Sequence, residues 1–431
     1  MKKIVTFLFI LMIILLAATV LLHVRSCGED LFHKTDITEK LPPIDDSLKI
    51  RIDTFLYNNF PQGSIGIELY DITADKEVYS YNKDSLMIPA SCMKLLTCVT
   101  ALRYIGAEKL IHNRLYTSGY IMGDTLNGNV ILKTQYDTAF NRDTLNNLVN
   151  ELKNKGVTYI KGNVIVDMML TEPLDHEEHW IIGDLRTRYM GLNLQGLPRM
   201  KKEMLGALQA KGIKIIDGTI TIGKLNPRNA TLIADNTATL HSLVEKSLKV
   251  SSNINAETLL MPLGYIYDKK GNYRENGKKV LQNFIRNEMN INPATVCNID
   301  DGCGLCINDK LTADFLVKLL VYSAKRPRIY NEIINDMPLS GVDGTLYKRM
   351  HDSRLKGKLR GKTGTLTRNG GVSTLAGYFI GKDNHLIAYA ILNNGWYVET
   401  SREWQDKLCL KAFMPQRIMG ELKDTTHIIL E

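Results

Sequence analysis

Pro89-Ala90-Ser91-Cys92-Met93-Lys94-Leu95-Leu96-Thr97-Cys98-Val99-Thr100-Ala101-Leu102 reads as one helix that Pro89 opens and that runs on to Tyr104. Lys94 is the only charge between Asp84 and Arg103. Its neighbours leave little of the helix surface polar, and a helix that is apolar all round is a buried one. A buried lysine is costly unless paired, and burial lowers its pKa. Such a lysine can accept a proton near neutral pH. Ser91 lies three residues earlier, on the same face, and a hydroxyl is a weak nucleophile until a base takes its proton. Ser-x-x-Lys therefore supplies both parts of an activated serine. By itself the pattern is common, because a capping serine and a lysine reaching for water give the same letters.

Two further patterns stand downstream. Ser251-Ser252-Asn253 is a turn that aims a hydroxyl and an amide: Ser251 is a candidate proton relay, and Asn253 a candidate contact for a substrate carbonyl and for Lys94. Lys362-Thr363-Gly364-Thr365, preceded by Gly361, sits in a strand. There Lys362 offers a fixed positive charge, Thr363 and Thr365 offer hydroxyls, and Gly364 lets a substrate backbone approach. That suits an extended peptide ending in a carboxylate. The N–H groups of Thr365 and Ser91 are candidates for an oxyanion hole.

The rest of the chain supplies a frame. Ser64 to Tyr70 and Glu77 to Tyr81 alternate around turn residues and predict a β-hairpin. Lys155-Gly156 to Val166 resembles Lys211-Gly212 to Ile222, each after a helical segment (144–154 and 200–210), with a Gly just past each helix end. These two helix–Gly–strand units predict a small α/β subdomain over 110–232. Ala238 to Gly264 reads as helical, as does Leu311 to Ala324. Lys358–Leu366, Val372–Ile380 and Leu386–Asn393 read as an antiparallel meander, covered by a closing helix from about Glu399 to Phe413. The expected fold class is α+β: an antiparallel sheet flanked by helices (46–109 and 233–431) with the α/β unit inserted.

The chain of 431 residues carries a net charge of +8 from scattered Lys and Arg, which argues against nucleic acid as a partner. Met1-Lys2-Lys3 precedes an uncharged apolar run, Ile4 to Leu22, just long enough to span a bilayer. Residues 1–27 are expected to be a signal or retained anchor that leaves the remainder outside the cytoplasm. A polar linker follows over 28–45. Seven cysteines cannot all pair within the chain. Cys303-Gly-Leu-Cys306 lacks a second pair and a nearby His, so packing is favoured over a metal site.

Taken together and in this order, Ser-x-x-Lys, Ser-x-Asn and Lys-Thr-Gly resemble the motif set of the serine β-lactamases and penicillin-binding proteins. Asp301-Gly302-Cys303-Gly304-Leu305-Cys306, Leu339-Ser340-Gly341-Val342-Asp343-Gly344-Thr345-Leu346 and Leu359-Arg360-Gly361-Lys362-Thr363-Gly364-Thr365-Leu366 are similar to one branch. That branch is the class C low-molecular-mass penicillin-binding proteins, D-alanyl-D-alanine carboxypeptidase/endopeptidases. The likeness covers about 50–415. It implies a β-lactamase/transpeptidase-like fold and acylation of Ser91 by peptidoglycan stem peptides ending in D-Ala-D-Ala. It also implies acylation by β-lactams, with no metal or organic cofactor. Lys94 would be the base, Ser251 and Asn253 the relay and amide contact, and Lys362, Thr363 and Thr365 the carboxylate anchor. Asp137, in the degenerate segment Lys133 to Phe140, would meet the amino end of the stem peptide's diamino acid. Three departures stand out: a short interval from Ser91 to Ser251, that degenerate segment, and Ser252 where aspartate is usual. The first suggests that a nested extra domain after Asp184-Leu185-Arg186 is lost. The competing readings are a β-lactamase-like hydrolase and a tethered wall-binding protein with a decayed site.

Overall fold

The computed structural model describes residues 45–174, 180 and 190–414. The apolar run 4–22, most of the linker, Cys27 and Asp184-Leu185-Arg186 lie outside them. Among the described residues no helix is long and apolar enough to cross a membrane.

In chain order the main elements begin with α1 (Ser47–Asn58), β1 (Ser64–Asp71), β2 (Lys76–Tyr81) and α2 (Met93–Tyr104). Then come β3 (Leu110–Thr117), β4 (Tyr120–Met122), β5 (Thr125–Asn127), β6 (Val130–Thr134), α3 (Arg142–Asn154), β7 (Tyr159–Lys161) and β8 (Val164–Met168). They are followed by α4 (Gly196–Ala210), β9 (Lys214–Asp217), β10 (Ile220–Ile222) and β11 (Thr231–Thr239). Next are α5 (Leu240–Lys249), α6 (Asn253–Tyr267), α7 (Tyr273–Asn287), α8 (Ala313–Ala324) and α9 (Pro327–Asp336). The chain closes with β12 (Leu359–Leu366), β13 (Val372–Ile380), β14 (Leu386–Asn394) and α10 (Val398–Leu408).

The principal sheet has the order β12-β13-β14-β1-β2 and is antiparallel throughout. Its inner strands are buried on both faces, so they read as apolar runs rather than as a clean alternation. The two faces of these strands serve different cores. Ala376, Ala388 and Ala390 lie in the core shared with α2 and α8, while Leu375, Phe379, Tyr389 and Ile391 pack with α1, α10 and Phe413. The alanines let α8 lie close to β14, with Tyr378 and Leu392 filling the rest of that face.

Residues 110–239 form two sheets of their own, β10-β8-β6-β3-β11 and β4-β5-β7-β9. The sequence repeat appears directly in the register. Val164 pairs in parallel with Ile220, Ile165 with Thr221 and Val166 with Ile222, the same residues that the repeat superposes. Both units end their helix in the same way. Gly156 and Gly212 take positive φ, and the N–H groups of Val157 and Ile213 reach back to Leu152 and Leu208. This unit extends beyond the expected boundary at 232, because β11 continues to Thr239 as the antiparallel partner of β3.

The helical stretch expected from Ala238 to Gly264 is two helices. Ser251 takes a left-handed backbone (φ 58°) between α5 and α6, and Ser252 then caps α6. That break is the Ser-x-Asn motif.

Candidate active site

The segment that carries the candidate nucleophile Ser91 is tightly held. Ala90 to Cys92 form a single 3₁₀ turn ahead of α2, and Ala90 has φ 44°, costly for a residue with a Cβ. Gly304 packs against the Ala90 carbonyl so closely that a Cβ on Gly304 would fall 1.9 Å from it. Ser91 is partly exposed, whereas Lys94 is fully buried.

Lys94 Nζ is 2.7 Å from Ser91 Oγ, 2.8 Å from Asn253 Oδ1 and 2.6 Å from the Cys303 carbonyl oxygen. Two of these partners are fixed acceptors, and a neutral amine has two N–H bonds and one lone pair. With Asn253 and Cys303 taking the N–H bonds, the lone pair is left for the Ser91 hydroxyl. Burial lowers the Lys94 pKa and favours that neutral form, while the nearby Asp301 and Glu257 charges pull the other way.

Lys362 is also fully buried, and its Nζ donates to Ser251 Oγ (2.8 Å) and to the Thr363 carbonyl (2.7 Å). Burial, and then the Lys94 charge, push its pKa from 10.5 down to about 7. The fixed charge expected at Lys362 is therefore conditional on pH. Gly364 also differs from expectation. A Cβ there would meet Thr374 Oγ1 at 2.1 Å, the Pro89 carbonyl oxygen at 2.6 Å and Ser91 N at 3.0 Å. The close approach that Gly364 permits is that of the protein's own nucleophile segment. Thr363 Oγ1 lies 2.6 Å from Thr345 Oγ1, and Thr365 Oγ1 accepts from Arg402 Nη2 at 2.8 Å.

Of the nine residues singled out in the sequence, eight gather in two linked groups: Lys94 meets Ser91 and Asn253, Lys362 on β12 meets Ser251 and Thr363, and Gly364, beside Thr365 on the same strand, abuts Ser91 N. Asp137 does not present its carboxylate there. It is buried and accepts from Asn113 Nδ2 (3.0 Å) and the Ala139 N–H (2.8 Å), so it holds its own turn closed. That turn reaches the motif region through Thr138, which donates to Asn255 at 2.7 Å.

Sequence reasoning missed the support behind Lys94. Asp301 accepts from the N–H groups of Cys303 (2.8 Å), Gly304 (2.5 Å) and Cys306 (2.7 Å) and from Trp180 Nε1 (2.8 Å). Burial opposes its charge, but hydrogen bonds outweigh burial and hold its carboxyl below the usual range. Neighbouring Asp309 has its pKa raised by burial and then by the Asp301 charge. Glu257 accepts from the Gly302 N–H (2.6 Å) and from Arg274 Nη2 (3.0 Å). Together they shape the turn that aims the Cys303 carbonyl at Lys94. The carboxylate followed by Gly-x-Gly was the available signal. Glu257, Asp301 and Cys303 lie close enough to suggest a metal. Their carboxylate oxygens are already taken by N–H donors, and burial pushes the Cys303 thiol up. The described cysteines are all unpaired.

The chain belongs to the D-Ala-D-Ala carboxypeptidase 3 (S13) family, whose model matches residues 48–192 and 199–412. It is 29% identical over 131 residues to the D-alanyl-D-alanine carboxypeptidase DacB of Haemophilus influenzae, covering 30% of this chain and 27% of that protein. It is 29% identical over 197 residues to the D-alanyl-D-alanine carboxypeptidase of Actinomadura sp. (strain R39), covering 44% and 35%. These matches span only about a quarter to a third of the relatives' own length. In structure it is similar to penicillin-binding protein 4 (dacB) from Haemophilus influenzae, with a TM-score of 0.72 at 19% identity over 85% of this chain and 99% of that one. That likeness fixes the fold.

Proposed function

We propose that this chain is a serine D-alanyl-D-alanine carboxypeptidase, acting also as an endopeptidase on related cross-links, and that β-lactams acylate it at Ser91. The observation that carries the reading is the placement of Lys94, with two acceptors on its N–H bonds and its remaining valence toward Ser91. Lys94 takes the Ser91 proton as Oγ attacks the carbonyl of the penultimate D-alanine. Ser251, whose Oγ accepts from Lys362, relays that same proton from Lys94 to the departing D-alanine amine, which leaves Lys94 neutral again and Lys362 still protonated. The terminal carboxylate is held by protonated Lys362 with Thr363 and Thr365. Water then hydrolyses the ester, with Lys94 again the base. Every group in this sequence belongs to the protein, and no cofactor enters.

The reading extends to place. Lys2-Lys3 and the apolar run 4–22 support a protein tethered to the membrane with its catalytic part outside the cytoplasm, where peptidoglycan lies. The test is labelling by a fluorescent penicillin, beside Ser91→Ala, together with D-alanine release from a pentapeptide. Stable labelling that disappears in the variant, with D-alanine released only by the wild type, is expected. Rapid β-lactam turnover would point to a lactamase. A folded wild type that neither labels nor releases D-alanine would defeat the proposal in favour of a decayed wall-binding protein.

A further inference from the structure

Away from the Ser91 site, α5 and α9 pack against each other and bring three metal-binding side chain types together. His241 Nδ1 lies 2.5 Å from Glu332 Oε2 and 3.6 Å from Asp336 Oδ2, and the three candidate ligand atoms all fall within 4.8 Å of one another. Glu332 and Asp336 are four residues apart and share one face of α9. Asp336 is only 4% exposed, yet its Oδ2 has no hydrogen-bond partner. A buried carboxylate oxygen left in that state is costly, and nothing in the acyl-transfer reaction uses it.

The electrostatics favour a cation at this place. Burial raises Asp336 to about 6, although the His241 charge pulls it down. Burial alone would lower His241, but the Glu332 hydrogen bond and the Asp336 charge overrule it and raise it. Glu245, one helical turn beyond His241, adds negative charge felt by both. The neighbouring cation that acts on Asp336 is Lys249, whose Nζ is already held by the Asn335 and Met337 carbonyls and by Asp343.

We propose that His241, Glu332 and Asp336 form a divalent-cation site of the imidazole–carboxylate class that suits zinc and its first-row neighbours. Imidazole nitrogen and carboxylate oxygen are both donors such ions accept, and three of them leave the fourth tetrahedral position to water. The His241 side chain is 43% exposed, which gives an ion a way in. Binding opens the His241–Glu332 pair from 2.5 Å toward the roughly 3.3 Å that separates two ligands at about 2.0–2.1 Å in a tetrahedron. It also supplies Asp336 Oδ2 with the partner it lacks.

The position gives the ion a consequence. α5 leads straight into the Ser251 turn. α9 leads through Met337 to Pro338, whose carbonyl accepts from the Gly361 N–H at 3.0 Å, and to Leu339, which bridges to Arg360 beside Lys362. A cation here ties together the two elements that deliver the second and third motifs. It is a clamp remote from the reacting atoms.

The test is Zn²⁺ titration of the full chain in detergent, by competition with a chromogenic chelator, for wild type, His241→Asn, Glu332→Gln and Asp336→Asn. Thermal unfolding identifies the folded variants. The wild type is expected to bind one equivalent, with affinity roughly tenfold or more weaker in each folded variant. Because Glu332 is partly exposed, Glu332→Gln keeps the comparison available if the buried substitution fails to fold. Absence of binding by the wild type, or unchanged affinity in the folded variants, overturns the site. Neither result bears on whether Ser91 is acylated.

Discussion

Raising the pH should slow acylation and, through the same residue, steady the fold. Lys362 is fully buried with its Nζ donating to two uncharged oxygens, and its pKa falls from 10.5 to about 7 through burial first and, when Lys94 is protonated, that charge second. An unfolded lysine keeps its proton to about 10.4. Between these values the unfolded chain binds more protons than the folded one, so this residue's contribution to stability rises with pH. At about 1.36 kcal/mol per pH unit, the gain from pH 7 to 8.5 is roughly 1–2 kcal/mol. Buried thiols such as Cys92 and Cys98 are raised by burial and act oppositely once unfolded thiols ionise near about 8.5. The measurement is therefore the wild-type minus Lys362→Met difference in urea unfolding over that window. Function moves the other way. Only protonated Lys362 attracts a carboxylate, so the second-order rate of labelling by a β-lactam acid should fall about tenfold per pH unit above about 7. The uncharged ester of the same β-lactam should be spared. A flat acid profile from pH 7 to 9, or an equal fall for the ester, would refute the assignment of Lys362 as a titrating carboxylate anchor.

Three substitutions probe the rest of the site. Lys94→Gln removes the base while keeping a polar group among Ser91, Asn253 and Cys303. Single-turnover labelling should slow by roughly 10²–10⁴-fold, and a loss under tenfold would remove Lys94 from that role. Asp301→Asn places an amide N–H where Oδ2 accepts from Cys306 and Trp180, leaving two buried donors opposed. At about 1–3 kcal/mol each, unfolding should come roughly 2–6 kcal/mol sooner in urea, and a change under 1 kcal/mol on that about 1–3 scale would show that the turn stands without it. Gly364→Ala drives a Cβ to 2.1 Å from Thr374 Oγ1 and 3.0 Å from Ser91 N. It should cost about 1–3 kcal/mol of stability by overpacking and slow labelling. Wild-type stability and rate would mean that β12 and the nucleophile segment are free to separate.

What the sequence determined was local. Lys94, a lone charge in an apolar helix three residues after Ser91, marked the pair proposed as base and nucleophile, because helical spacing alone makes them neighbours. The meander β12-β13-β14 and the repeated helix–Gly–strand unit were legible because strand alternation, apolar runs and C-terminal glycines act over a few residues. The distant partners were not legible. The Cys303 carbonyl reaches Lys94 only through a turn built by Asp301 and Glu257, and a backbone oxygen leaves no mark in residue type. Asp137 looked available and is buried, since the folded insert brings Asn113 to it. Lys362 looked like a fixed charge, but its pKa depends on burial and on Lys94, which the fold brings close. Residue chemistry and short-range spacing are properties of the chain; desolvation, long-range hydrogen bonds and the potential at a buried nitrogen arise only when the chain closes on itself.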